Sequence, residues 1–303
     1  MKKLVLATLS LITTFAAPSY ATAQSKADAE PSLLYQVSGK GLAKPSYIFG
    51  TFHAICATEM VPVASLDNYL TQTDQLMMEV DLDDGTEMAS MAGAVAMPGG
   101  KTLKDFLTAD ELVKVDELTK SYLGVPAEAV KSLKPSTLMV ILITRPKAIG
   151  CTPVTLDLDL MKSAVAKKKP VVGLETVASQ IKVLDSVPLE KQAKQLYQMA
   201  LDPPKSIEQL KKLMAIYKTQ DVEKLFDATK SQMEEDKEFH IRLLDERNAA
   251  WIPKLATAFK EKPTFVAVGA GHLGGKYGVL QLLRKQGYRV KPVKITRAVA
   301  GDS

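Results

Sequence analysis

Tyr47-Ile48-Phe49-Gly50-Thr51-Phe52-His53 is a short apolar run closed by a glycine, with a histidine three residues beyond it. The same arrangement returns near the other end of the chain, where Phe265-Val266-Ala267-Val268 leads into Gly269-Ala270-Gly271-His272. A short apolar run bounded by turn formers reads as a buried strand. Glycine at its end lets the backbone turn sharply or be approached closely. Both histidines then project from loops at strand ends. The chain has 3 histidines, and two of them occupy this one context. They can meet only in a fold that brings the two ends of the chain together.

The intervening sequence alternates strand and helix signals. Leu33 to Val37 and Ser46 to Gly50 read as a hairpin, joined by a segment with two glycines and a proline. Val63 to Asp74 reads as a short helix. Gln75 to Leu82 reads as a strand that turns acidic at its end, with Glu79 and Asp81 on one face. A carboxylate there is costly unless it is paired or functional. Glu79 is therefore either a site group or a rim carboxylate capping a neighbouring helix. Thr108 is placed to cap the helix that begins Ala109-Asp110-Glu111. The apolar segment Leu138 to Ile143 is expected to be a helix entered through Ser136. Asp157 to Lys168 reads as a helix feeding a strand, Val171 to Glu175. Glu175 repeats the situation of Glu79, and Thr176 opens the helix Val177 to Leu184.

Residues 188 to 260 are charged and lack strand signals, so they read as a helical insertion. Pro203-Pro204 breaks it, Asp221 caps its third helix, His240 is expected on a solvated face and Trp251 in the core. The glycines at 269, 271, 274, 275 and 278 precede the helix Val279 to Lys285 but fit neither the P-loop nor the dinucleotide fingerprint. Tyr288 to Ile295 is the expected last strand, and the tail after Arg297 is expected to be unstructured. The fold expected is α/β: a mixed central sheet with flanking helices and the large helical insertion, in one domain over 29–297.

The first 23 residues read as a secretory signal. Lys2 and Lys3 precede the apolar stretch Leu4 to Ala17, and Ala21-Thr22-Ala23 offers small residues for cleavage. The expected location is periplasmic or secreted, with no transmembrane segment after cleavage. Removing Lys2 and Lys3 takes the formal net charge from +5 to +3, too weak a basic footprint for nucleic-acid binding. Cys56 and Cys151 are an even pair in an oxidising compartment. They form either one bridge, which would pin the loop carrying His53, or two separate buried thiols.

His53, Glu79, Glu175 and His272 all fall at or just past the ends of expected strands. Ligands of open α/β sheets bind beyond the carboxyl ends of the strands, so parallel neighbours would bring these four groups to one rim. Imidazole and carboxylate suit zinc, manganese or iron. A metal-bound water could attack a peptide or ester carbonyl. Without metal, a histidine oriented by a carboxylate could serve as general base. No His-Glu-x-x-His signature is present.

Tyr47 to His53 resembles the first motif of the TraB/GumN family, which is related to the pheromone-shutdown proteins and the Tiki proteases. Val268-Gly269-Ala270-Gly271-His272-Leu273, with Gly275, Gly278 and Leu282-Leu283, is similar to its second motif. Asp157, Leu160 and Ala164, then Gly173-Leu174-Glu175-Thr176, then Arg247-Asn248 with Trp251, also fit. The resemblance covers residues 33 to 295 and implies an erythromycin-esterase/ChaN-like α/β core. It implies Glu79, Glu175 and Arg247 as catalytic groups and His53 and His272 as metal ligands, supported by Gly50, Thr51, Gly269, Gly271 and Asp157. The Tiki likeness implies a metal-dependent peptidase using Mn, Zn, Co or Fe on a peptide or protein substrate. ChaN-like relatives imply instead a haem- or metal-binding envelope protein linked to polysaccharide biology. Cys56, just after the first motif, departs from the pattern.

Overall fold

The computed structural model describes residues 30–57, 61–233 and 236–295. The signal-peptide and C-terminal-tail readings fall outside them. Among the described residues eight strands are formed: β1 Leu34–Ser38, β2 Ser46–Thr51, β3 Ile55–Cys56, β4 Gln75–Met78, β5 Pro153–Val154, β6 Val171–Gly173, β7 Thr264–Gly269 and β8 Arg289–Val293. Six of them make one sheet in the order β6-β4-β7-β2-β1-β8, and β3 pairs with β5 apart from it. The run β6-β4-β7-β2 is parallel. β1 is antiparallel to both β2 and β8, which makes the sheet mixed.

The strand order follows from the burial pattern. β2 is buried at every residue, and β7 at every residue except Gly269. Parallel strands covered on both faces read as continuous apolar runs, and these two runs are Tyr47-Ile48-Phe49 and Phe265-Val266-Ala267-Val268. β7 lies between β4 and β2, so the two Gly-x-x-His segments are neighbours in space. Gly50 lies where a Cβ would approach Ala270 Cβ and Leu273 Cδ1 to 2.9 Å. Only glycine lets the end of β2 touch the loop after β7 this closely.

Helix Leu156–Ala166 packs on β4, β6 and β7, burying Leu156, Leu160 and Ala164. Helix Glu246–Glu261 buries Trp251, Ile252, Leu255 and Phe259. A second apolar core lies away from the sheet. Helices Ala109–Leu123, Pro135–Ile143 and Leu189–Leu201 build it around Val115, Leu118, Leu138, Leu142, Ala193 and Leu196. Thr108 and Glu111 close a capping box on the first of these helices.

Several local expectations need correction. The strand expected over Gln75 to Leu82 ends at Met78. The chain then turns, and Asp81 Oδ1 accepts from the Asp83 amide at 3.0 Å. Glu79 and Asp81 therefore do not share a strand face. Val63 to Asp74 divides into a 3-10 turn, Val63–Leu66, and a short helix, Asp67–Thr71. The helix expected to start at Ser136 begins at Pro135, whose fixed φ suits a first helical position. His240 is not solvated: it is 6% exposed, and its ring meets Phe226 edge-on at 5.7 Å.

Candidate functional site

The parallel strands end on one edge, and each delivers a polar group just past its last residue. β2 leads to His53, β4 to Glu79, β6 to Glu175 and β7 to His272. The ladder between β4 and β6 continues past their ends, with Leu174 N donating to Met78 O and Glu175 N to Glu79 O. This lays the two glutamates side by side. Arg247 reaches them from helix Glu246–Glu261. Its Nη2 donates to Glu79 Oε2 at 2.6 Å and to Glu175 Oε1, and its Nε donates to Glu175 Oε1 at 2.9 Å. Gln180 Nε2 donates to Glu79 Oε2 at 3.1 Å and to Glu175 Oε1 at 3.4 Å. The remaining Glu79 oxygen, Oε1, accepts the Gly269 amide at 2.8 Å.

His272 is buried, with its ring 4.5 Å from that of Trp251. Asn248 Nδ2 donates to the carbonyls of His272 and Tyr277, so its Oδ1 is left as an acceptor. That oxygen lies 2.7 Å from His272 Nδ1. The proton is thereby assigned to Nδ1, and Nε2 keeps its lone pair, which faces Arg247 Nη1 at 3.2 Å. Burial pushes the His272 pKa down to about 3, with Arg247 and His53 acting in the same direction against the pull of Glu79. Burial alone would raise Glu79, but positive charge at His272, Arg247 and His53 and the Gly269 amide bring it down to about 2. With His272 neutral near neutral pH, Arg247 is the permanent cation that keeps Glu79 ionised.

His53 stands apart from this network. Its Nδ1 lies 3.1 Å from Asp157 Oδ2, and Thr51 Oγ1 donates to Asp157 Oδ1 at 2.8 Å. Asp157 thus fixes both the last residue of β2 and the histidine two residues on. The hydrogen bond to Asp157 raises His53 to about 9, against the effect of desolvation. The His53 side chain is 70% exposed, so solvent screens the pair. The direction stands on the hydrogen-bond geometry. His53 Nε2 points over Gly269: a Cβ there would lie 3.8 Å from it, 3.2 Å from Glu79 Oε1 and 3.7 Å from His272 Cδ2. The missing side chain at Gly269 keeps that space open between the three groups. Around Gly271, by contrast, an added Cβ would meet only Thr229 Oγ1, at 4.0 Å.

Cys56 and Cys151 are joined by a disulfide. It sits at the paired strands β3 and β5, where Cys56 faces Pro153. One half lies three residues after His53 and the other six residues before Asp157.

A metal at this site would draw on His53, His272, Glu79 and Glu175. Those donors do not fit one as they stand. Arg247 takes the His272 Nε2 lone pair and bonds both carboxylates. Among the described residues, no group of three or more His, Cys, Asp and Glu side chains is placed to hold an ion.

Sequence reasoning did not single out Gln180 or Asn248 as site groups. Gln180 lies in the first turns of the helix that follows Glu175, and Asn248 is next to Arg247 on its helix. For Gln180 only the position of its neighbour Glu175 could have pointed to it, whereas Asn248 lies in the Arg247-Asn248 stretch that fits the family pattern. Trp251, expected in the core, is buried there and also forms a wall of the site, with its ring 5.0 Å from the Arg247 guanidinium.

The fold is a mixed-sheet α/β domain with a polar cluster at the carboxyl ends of its parallel strands. The chain belongs to the TraB/PrgY/gumN family, which it matches over residues 33–292. No curated protein and no solved structure gives a match.

Proposed function

We propose that this protein is a hydrolase for peptide-type carbonyl bonds, working at the strand-end cluster around Gly269. The observation that carries this reading is the His53–Asp157 dyad, whose free Nε2 faces the same opening as Glu79 Oε1. An imidazole oriented by a buried carboxylate is a proton-transfer group. Below its pKa of about 9, His53 holds a proton to give to a leaving amine. Glu79, ionised and anchored by Arg247 and the Gly269 amide, accepts the proton of the attacking water. The water oxygen bonds to the carbonyl carbon as the carbon–nitrogen bond breaks, the amine leaves with the His53 proton, and the proton taken up by Glu79 returns to His53 through solvent, which resets both groups. Export fits this reading through the N-terminal sequence Lys2-Lys3, Leu4 to Ala17 and Ala21-Thr22-Ala23.

The divalent metal expected from the sequence is a second reading, favoured by the opening shared by His53 Nε2, Glu79 Oε1 and His272. It carries a condition, because Arg247 must first release His272 Nε2.

The test is a mixed peptide library incubated with purified protein and read by mass spectrometry. Cleavage is expected from the wild type and lost in both His53→Ala and Glu79→Gln. Equal cleavage by His53→Ala, or none by the folded wild type, would overturn the reading.

A further inference from the structure

All five N–H donors of Arg247 have acceptors. Nε takes Glu175 Oε1, Nη2 takes Glu175 Oε1 and Glu79 Oε2, and Nη1 takes Leu243 O at 3.0 Å and His272 Nε2. A guanidinium has no further donor to offer. Leu243 lies in a π turn, Ile241–Asp245, that interrupts the helix one residue before Arg247's own segment begins. There the Glu246 amide reaches back to Ile241 O rather than one residue nearer. Such insertions re-aim the side chains that follow them and are frequent at functional sites. Trp251 backs the guanidinium from below.

We infer that the Arg247 guanidinium is the resident cation of this site, and that a divalent metal and Arg247 exclude one another there. The exclusion is strict at His272. Its Nδ1 proton is committed to Asn248, and the single lone pair on Nε2 already accepts from Arg247. A metal bound at about 2.0–2.2 Å from that nitrogen needs the same lone pair. At the carboxylates the exclusion is electrostatic. Glu79 and Glu175 would have to face a doubly charged ion and a guanidinium together in a buried setting, while Gln180 also holds an oxygen of each. The inference concerns which cation fills the site, so it stands apart from the hydrolytic reading and is tested without activity.

Protein stripped with chelator is titrated with Zn²⁺, Mn²⁺ and Co²⁺ by calorimetry. Fluorescence of Trp251, the single tryptophan, is followed in parallel. The variants are Arg247→Met, which keeps a long buried side chain without the charge, and His272→Ala. The wild type is expected to bind no metal that perturbs Trp251. Arg247→Met is expected to bind at least one of these ions more than about tenfold tighter, because it bares two buried carboxylates, and His272→Ala in the same background is expected to remove that gain. An Arg247→Met protein that folds but binds no tighter than the wild type overturns the inference. If Arg247→Met does not fold, as judged by circular dichroism, the wild type decides. One equivalent of metal that alters Trp251 fluorescence and is lost in His272→Ala overturns the inference. The lack of such binding upholds it.

Discussion

Asn248 Oδ1 sits 2.7 Å from His272 Nδ1, and this contact determines which nitrogen of the buried imidazole faces the site. The same amide ties down the carbonyls of His272 and Tyr277. Asn248→Ala removes all three bonds and leaves a buried Nδ1 proton without an acceptor. The expected loss of unfolding free energy is about 2–3 kcal/mol, read by urea denaturation. Nitrogen-15 NMR should show His272 as the Nδ1-protonated tautomer in the wild type and as a mixture in the variant. A pure Nε2-protonated signal in the wild type would contradict the assignment.

His53 is raised to about 9 by Asp157. A histidine whose pKa is higher folded than unfolded adds stability that is complete below the unfolded value. That stability fades as pH rises through the folded value. The window here runs from the ordinary value of 6.5 up to about 9. Proton NMR of His53 should give a midpoint well above the ordinary value, and Asp157→Asn should return it toward that value. Exposure of the ring makes the midpoint, rather than global stability, the useful readout. If His53 is the proton donor, hydrolysis should decline across the upper part of this window.

Arg247 offsets two buried carboxylates, and Arg247→Ala leaves both without the cation they are hydrogen-bonded to. Breaking a buried pair from one side costs about 3–5 kcal/mol, and that is the loss expected in urea denaturation at neutral pH. The pH dependence gives a sharper test. Glu79 is held at about 2 against an ordinary 4.5, so its contribution is present above 4.5 and is lost as pH falls toward 2. In Arg247→Ala the carboxyl rises, and the difference in stability between wild type and variant should shrink across that acid range. A difference that stays constant from pH 6 to pH 2 would rule out Arg247 as the group that holds Glu79 ionised.

The Cys56–Cys151 bridge closes a loop with a sequence separation of 95 residues. Chain entropy sets a ceiling of about 5 kcal/mol for a loop of this size, and about 2–4 kcal/mol is the usual observed range. Reduction, or Cys56→Ser with Cys151→Ser, should lower stability by that amount. It should also act on the site, because the bridge clamps the loop of His53 to the strand that precedes Asp157. The NMR midpoint of His53 is expected to fall on reduction as the dyad loosens. An unchanged midpoint would confine the bridge to a purely structural part.

Much of the sheet could be read from the chain because its cues are local. Thr176 and Thr108 cap the helices they were expected to cap. The buried parallel strands appear as unbroken apolar runs, and Pro203 opens the helix after the expected break. Errors arise where tertiary contacts set local structure. Nothing in Gln75 to Leu82 announces that the strand ends at Met78, since β6 beside it ends at Gly173 and β7 on the other side runs on alongside β2. His240 looks polar and solvated on a charged helix, and only the neighbouring Phe226 makes it interior. The site divides in the same way. His53, Glu79, Glu175 and His272 follow strands and can be seen in sequence. Their partners Asp157, Asn248 and Gln180 lie on helices that only the fold brings to that edge. Asp157 entered through family resemblance alone.

β7 lies between β4 and β2, yet it is made more than 180 residues after either of them. Until Gly269 leaves the ribosome, the sheet exists at most as two strips, β6 with β4 and β2 with β1, each with a bare apolar edge. Contacts of such long sequence separation form slowly. A chain cut short of β7 lacks the central strand, the Gly269 amide that holds Glu79, and His272. Truncated or half-synthesised products are thus expected to be unfolded and inert, with edges that invite aggregation or proteolysis. The order of the strands makes the segment from β7 onward a checkpoint on everything made before it.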